Sequence, residues 1–366
     1  LPRKIAVQKL NLLRKGVIAP LMGGASEACS VFQNMALLEV GRGCKRACRF
    51  CLAGHVYRPP RWSDREAIVK SLEGLDESAK AIGLLAPSVM DMPHFEDLLV
   101  HIKESGLKCN ISSVRMDSLT ENVLHLIKEL GQQTITLAIE TGSQRLQKVI
   151  NKNLTEEMIL QQIELISKIG FRRIKIYFMV GLPTETKDDI LATLQLLKKI
   201  RHVMIKTTSH KGVVSSIKVV LSCFVPKPFT PLQWCGMEEL NILKERQNAI
   251  KKALYKEGGI SVTTDVPKWA YVQGLLARGD RRVSELILKG NRCNWDLKRL
   301  FAQSILNPEY YIRRNYSLDE YLPWDFIDHG ISKDYLVAEF MRAMEGKESP
   351  GCGPEGCKRC GVCERW

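Results

Sequence analysis

Between residues 36 and 234 the chain repeats one pattern, a short apolar run followed by a longer stretch whose apolar positions return every three or four residues. The first reads as a buried strand and the second as an amphipathic helix. Residues 36–40, 82–86, 110–114, 134–139, 174–180 and 217–224 are the six predicted strands, with five helices between them. The first helix opens on Ser63-Asp64-Arg65-Glu66, the wording of a capping box. Another starts at Thr155, carries Ile159, Ile163 and Ile166 on one face, and stops at Gly170, suited to a left-handed cap. A third begins with Thr186 and Asp189 and turns Ile190, Leu194 and Leu197 inward. Repeated strand-helix units give parallel strands, because each crossover is right-handed, and curling that sheet makes a full or partial barrel. The expected class is α/β.

Sites in such barrels lie at the C-terminal strand edges. The residues there are Pro87-Ser88 after the second strand, Arg115-Met116-Asp117-Ser118 after the third and Glu140-Thr141-Gly142-Ser143 after the fourth. Gly181-Leu182-Pro183-Thr184-Glu185 follows the fifth strand and Val225-Pro226-Lys227 the sixth. After the first comes Gly43-Cys44-Lys45-Arg46-Ala47-Cys48-Arg49-Phe50-Cys51, a C-x3-C-x2-C triplet. Three thiolates can hold three irons of a cubane 4Fe-4S cluster and leave the fourth free for a small molecule.

Composition narrows the classes. The chain has 366 residues, 45% of them hydrophobic, ordinary for a globular protein. No apolar run approaches the roughly 18–20 residues of a membrane span, and no secretory signal opens the chain, so a cytoplasmic location is expected. Twelve cysteines in short clusters read as metal ligands. The net charge of +14 raises nucleic-acid binding, but the basic residues are spread along helices without an aromatic-interleaved stripe, and that reading is not favoured. The chain opens on Leu1, which suggests sequence missing upstream.

The cysteine triplet, its preceding glycines and Phe50 closely resemble the radical S-adenosylmethionine (radical SAM) enzymes. The resemblance implies a partial (β/α)6 barrel and a 4Fe-4S cluster on Cys44, Cys48 and Cys51 that binds SAM at its open iron. One electron then splits SAM to methionine and a 5'-deoxyadenosyl radical, with a small flavodoxin- or ferredoxin-like protein as donor. For SAM contacts it implies Glu140, Thr141 and Ser143, then Gly181, Leu182 and Pro183 by backbone approach, with Lys175 and Tyr177 as further candidates. The family's Gly-Gly-Glu on the second strand is replaced by Ala86-Pro87-Ser88, where Ser88 would have to serve.

Runs 39–44, 51–61, 224–234, 276–282, 322–325 and 360–363 are further similar to the branch of radical SAM proteins with an N-terminal cobalamin-binding domain. That domain is missing from this sequence, so cobalamin, and the methyl transfer it supports, depends on an upstream domain. The expected organisation is a linker-like segment 1–35, the radical SAM core 36–235, a helical cap 236–348 and a Cys-rich tail 349–366. In the tail, Cys352, Cys357, Cys360 and Cys363 could bind zinc or a second iron-sulfur cluster. Aromatics around Tyr310, Tyr311, Tyr316, Tyr321 and Trp324 read as core. So do Cys29, Cys109, Cys223, Cys235 and Cys293, with Cys223 and Cys235 kept as outside candidates for hydrogen-atom donation. The rival reading is a metal-stapled, RNA-binding protein without SAM turnover.

Overall fold

The computed structural model describes residues 4–9, 21–22, 35–75, 79–207, 215–292, 294–302, 304, 306–353 and 357–365. Cys29 and Cys293 lie outside them. All six predicted strands form: β1 (Met35–Glu39), β2 (Ala81–Leu85), β3 (Lys108–Ile111), β4 (Thr134–Glu140), β5 (Arg173–Val180) and β6 (Ser216–Cys223). β1, β2 and β3 pair in parallel, as do β4, β5 and β6, and a parallel bridge between Val114 and Leu137 links the two sheets. The crossovers carry α1 (Arg65–Glu73), α2 (Phe95–Glu104), α3 (Glu121–Glu129), α4 (Gln144–Val149), α5 (Glu156–Ile169) and α6 (Lys187–Thr207).

Two expectations change. The cap region begins with α7 (Leu240–Leu254) but then adds a seventh parallel strand, β7 (Ile260–Thr264), beside β6. Only Ile260 and Val262 are apolar there, and the strand sits half-buried at the sheet edge, so it leaves little trace in the hydropathy pattern. The capping box at Ser63 does not form either. Asp64 is the N-cap, without a side-chain bond, while the Ser63 hydroxyl donates to the Glu39 carbonyl and ties the helix start to the end of β1. Thr155 and Gly170 behave as predicted: the threonine oxygen accepts from the Met158 amide, and the glycine ends α5 at φ 97°.

Alternation along the strands sets the two faces. Ile135, Leu137 and Ile139 of β4 are buried beneath the helices, against Ile159, Ile163 and Ile166 of α5. Each such side chain contributes about 1.5–3 kcal/mol by burial. The intervening Thr136, Ala138 and Glu140 face the lumen, and Ala138 and Glu140 reach the rim.

The C-terminal region wraps the rim. Trp234, Tyr316, Trp324, Tyr335 and Leu336 form their own cluster with Cys360 and Val362. Tyr311 is likewise buried, but Tyr310 and Tyr321 are about half exposed, so the aromatic stretch is core only in part. From the N-terminal segment, Ile5–Ala6 pairs with Ile327–Asp328 and Leu21–Met22 pairs antiparallel with β1. Among the described residues no helix is long and apolar enough to cross a membrane.

Candidate active site

The loop between β1 and α1 is closed at its base by pairing of Gly41–Arg42 with Arg61–Trp62. Gly43 adopts φ 78°, and a side chain there would meet the Tyr57 carbonyl at 2.4 Å, so both backbone shape and space require glycine. Inside the loop His55 is fully buried. Its Nδ1 lies 2.8 Å from the Cys51 carbonyl, which can only accept, so Nδ1 carries the proton. Burial and the nearby Arg58 push this imidazole down to about 3, so it stays neutral and braces the third cysteine.

Cys44, Cys48 and Cys51 line one cavity of about 170 Å³ at the C-terminal strand tips, together with Ser88, Glu140 and Lys152. It adjoins a second cavity of about 360 Å³ that shares Arg46, Cys48, Arg115 and Lys152 as wall. Burial pushes the Cys44 thiol up to about 11 and raises Cys51, and the neighbouring thiols add to both. Bound metal reverses that direction by stabilising thiolates.

The residues fit a cluster. Among the described residues no three Cys, His, Asp or Glu side chains converge as one ion requires. A cubane places each thiolate on a different iron, so its ligands are spread around a cluster and not around one ion, and Cys44, Cys48 and Cys51 share one cavity wall. Cations stand ready to balance an anionic centre, with Lys152 in the field of Cys51 and Arg115 in that of Cys48.

The predicted SAM residues divide into two groups. Glu140 lines the cavity at φ 72°, where the β4–β5 register shifts, and pairs with Lys152 at 2.9 Å. Ser88 also lines it, its hydroxyl donating to Asp91 at 2.8 Å. The other seven do not line it. Thr141 and Ser143 are buried in the β4–α4 connection: the Thr141 hydroxyl accepts from the Ser143 amide, and Ser143 caps α4 while donating to Asp189. Leu182 is packed with Leu146, Phe224 and Leu232, and Pro183 beside it is half-buried. Gly181, at φ 82°, has Leu243 where a side chain would go, and its amide donates to Glu185. Lys175 faces the lumen, but it lies five residues before the end of β5, about 16 Å below the rim. There it stacks on Tyr177. Cys109, Cys223 and Cys235 are buried as predicted; burial pushes each thiol up to about 12, and none lines the cavity.

Three residues at the site were not among the predicted ligands, although the sequence placed Arg115 at the rim. Lys152 follows α4 and has no motif around it. Arg46 lies between the first two cysteines and grips Asp91 and Asp117, fixing the tips after β2 and β3. Arg115 pairs with Asp117 in turn.

Glu185, under the fifth tip, supplies a pH test. Burial pushes its carboxyl up to about 7, against the pull of the Gly181 amide and the Arg246 guanidinium. The folded value exceeds the unfolded 4.5, so its stabilising contribution is complete below pH 4.5 and is lost as pH climbs through about 7. Glu185→Gln is expected to flatten this decline, read from urea midpoints at pH 5 and pH 8. A pH difference equal to that of the wild type would show that Glu185 is not its source.

Comparison with known proteins agrees with this geometry. Residues 38–197 match the family described as the Radical SAM superfamily. An uncharacterized protein of Methanocaldococcus jannaschii is 35% identical, the alignment covering 69% of this chain and 53% of the relative. A tRNA-2-methylthio-N(6)-dimethylallyladenosine synthase of Chloroherpeton thalassium is 27% identical over 46% of this chain and 40% of its own. The chain therefore spans about half or less of these curated relatives. Among solved structures, the radical SAM methyltransferase TsrM of Kitasatospora setae, with cobalamin and a 4Fe-4S cluster bound, is 10% identical. It covers 85% of this chain and 60% of its own, with a TM-score of 0.43. The matched segment starts in β1, runs through the cysteine loop and ends in α6, and over residues 38–197 the chain carries a radical SAM domain.

Proposed function

We propose that this chain holds a 4Fe-4S cluster on Cys44, Cys48 and Cys51, cleaves SAM reductively and modifies an unactivated centre of its substrate, by methylation or another change. The observation that carries the reading is the meeting of three cysteines with the Glu140–Lys152 pair on one cavity wall. When bound, the cluster supplies an open iron and the electron that splits SAM into methionine and a hydrogen-abstracting radical.

The chain's own residues do the positioning. Lys152 and Arg115 would offer positive charge to the SAM carboxylate, while Glu140 and the Ser88 oxygen would accept from its ammonium group. Phe50, Val114, Met116 and Leu154 complete the wall and keep water from a reactive intermediate. A flavodoxin- or ferredoxin-like donor supplies the electron. Cobalamin would enter only through an upstream domain, and the likeness of residues 39–44, 51–61 and 224–234 to the cobalamin branch brings in methyl transfer as the secondary version.

Anaerobic protein loaded with iron and sulfide, given SAM and dithionite, is expected to form 5'-deoxyadenosine and methionine together. SAM consumed without 5'-deoxyadenosine, or not consumed at all, would overturn the proposal. A colourless protein that keeps zinc and binds RNA would support the rival reading instead.

A further inference from the structure

The tail is built onto the catalytic loop. The Cys352 amide donates to the Lys45 carbonyl at 2.5 Å, one residue from Cys44, and Gly351 packs so closely there that a side chain would meet that carbonyl at 2.6 Å. Cys352 and Cys48 line the same cavity. The tail then folds back on itself: Cys357 lies 3.1 Å from the position of a Gly353 side chain, Arg359 bonds the Pro350 and Gly351 carbonyls, and Cys360 is buried. Cys352 is thereby in electrostatic range of Cys357, Cys360 and Cys363.

An independent observation is Arg58, which is 97% buried, 3% of it remaining exposed. Its Nε donates to the Gly54 carbonyl and its Nη1 to the Tyr335 hydroxyl, with the Tyr335 ring centre 5.3 Å away, but Nη2 has no oxygen acceptor, and no carboxylate pairs with the guanidinium among the described residues. The group next to it is Cys360. Lys9 adds a second cation in the field of the same cysteine. A buried guanidinium needs a counter-charge, and four metal-bound thiolates would provide one.

We infer that Cys352, Cys357, Cys360 and Cys363 hold a second 4Fe-4S cluster, charge-balanced by Arg58 and forming part of the wall around the catalytic loop. The buried Arg58 and the partly buried Lys9 beside Cys360 suit the net negative charge of a thiolate-bound cluster. Arg58 would couple the centres, since the same guanidinium holds the Gly54 carbonyl in the turn after Cys51.

The test is metal content after anaerobic loading with ferrous iron and sulfide. The wild type should hold about eight irons per chain, and the C360A/C363A variant and the C44A/C48A/C51A variant about four each. Equal iron in the wild type and C360A/C363A, or about one zinc per chain lost in that variant, overturns the inference. Should C360A/C363A fail to fold, the triple variant still decides: about four irons with the broad brown absorbance of a cluster supports the tail site, and none refutes it. A triple variant without iron beside a C360A/C363A variant with about four leaves the proposed function standing and removes only this inference.

Discussion

Cys48→Ala is expected to reduce 5'-deoxyadenosine formation to background, a loss of at least about 10³-fold, or some 4 kcal/mol in the barrier. Cys48 is the middle cysteine of the triplet and lines both cavities at the rim. Removing it leaves two thiols, which cannot retain a cubane with one open corner. The effect should fall on chemistry and not on folding. Cys48 is buried, but its side chain is small, so the change to alanine deletes one sulfur beside an existing cavity and costs far less than emptying a packed core. Three measurements separate the outcomes: iron content, 5'-deoxyadenosine by chromatography, and the thermal midpoint. An unchanged midpoint with lost product is the expected result. Product formed at the wild-type rate would mean that the cluster sits elsewhere.

The sequence made the barrel legible because strands covered by helices must be apolar on at least one face. In β4, β5 and β6 that requirement leaves an alternation that can be read directly. β7 escaped because an edge strand needs only Ile260 and Val262 to hold it. Cys44, Cys48 and Cys51 stood out because the proposed metal ligation would fix residue type and spacing together.

The polar rim was half legible. Its position follows from topology, but topology does not say which polar groups turn toward the cavity and which cap a helix. Ser143 shows the ambiguity, since a serine before a helix serves the α4 amides as readily as it would a ligand. Lys152 and Arg115 act through placement in space and carry no local signature. Arg49 was invisible for the same reason, written among the cysteines as one more basic residue although its role is to hold distant segments together.

Arg49→Met is expected to destabilise the protein by about 3–5 kcal/mol, as breaking a buried pair does. Arg49 is fully buried and makes five hydrogen bonds: to the Lys148 and Val149 carbonyls at the end of α4, the Lys347 carbonyl, the Ser349 hydroxyl and the Glu339 carboxylate. It thus fastens the cysteine loop to α4 and to the chain entering the tail. Asn151 makes a parallel tie, donating to the Ala47 and Ser349 carbonyls. Methionine can fill the volume but leaves the Glu339 charge and several buried acceptors unmet. At this chain size the loss should lower the melting midpoint by roughly 5 °C. Adding Glu339→Leu distinguishes the contributions. If the ion pair alone mattered, two apolar residues would restore nearly all the stability. The carbonyls of α4 and Lys347 predict only partial recovery in the double variant, because no side chain then donates to them. Full recovery would reduce Arg49 to one half of a salt bridge and remove its role as the clamp between the catalytic loop and the tail.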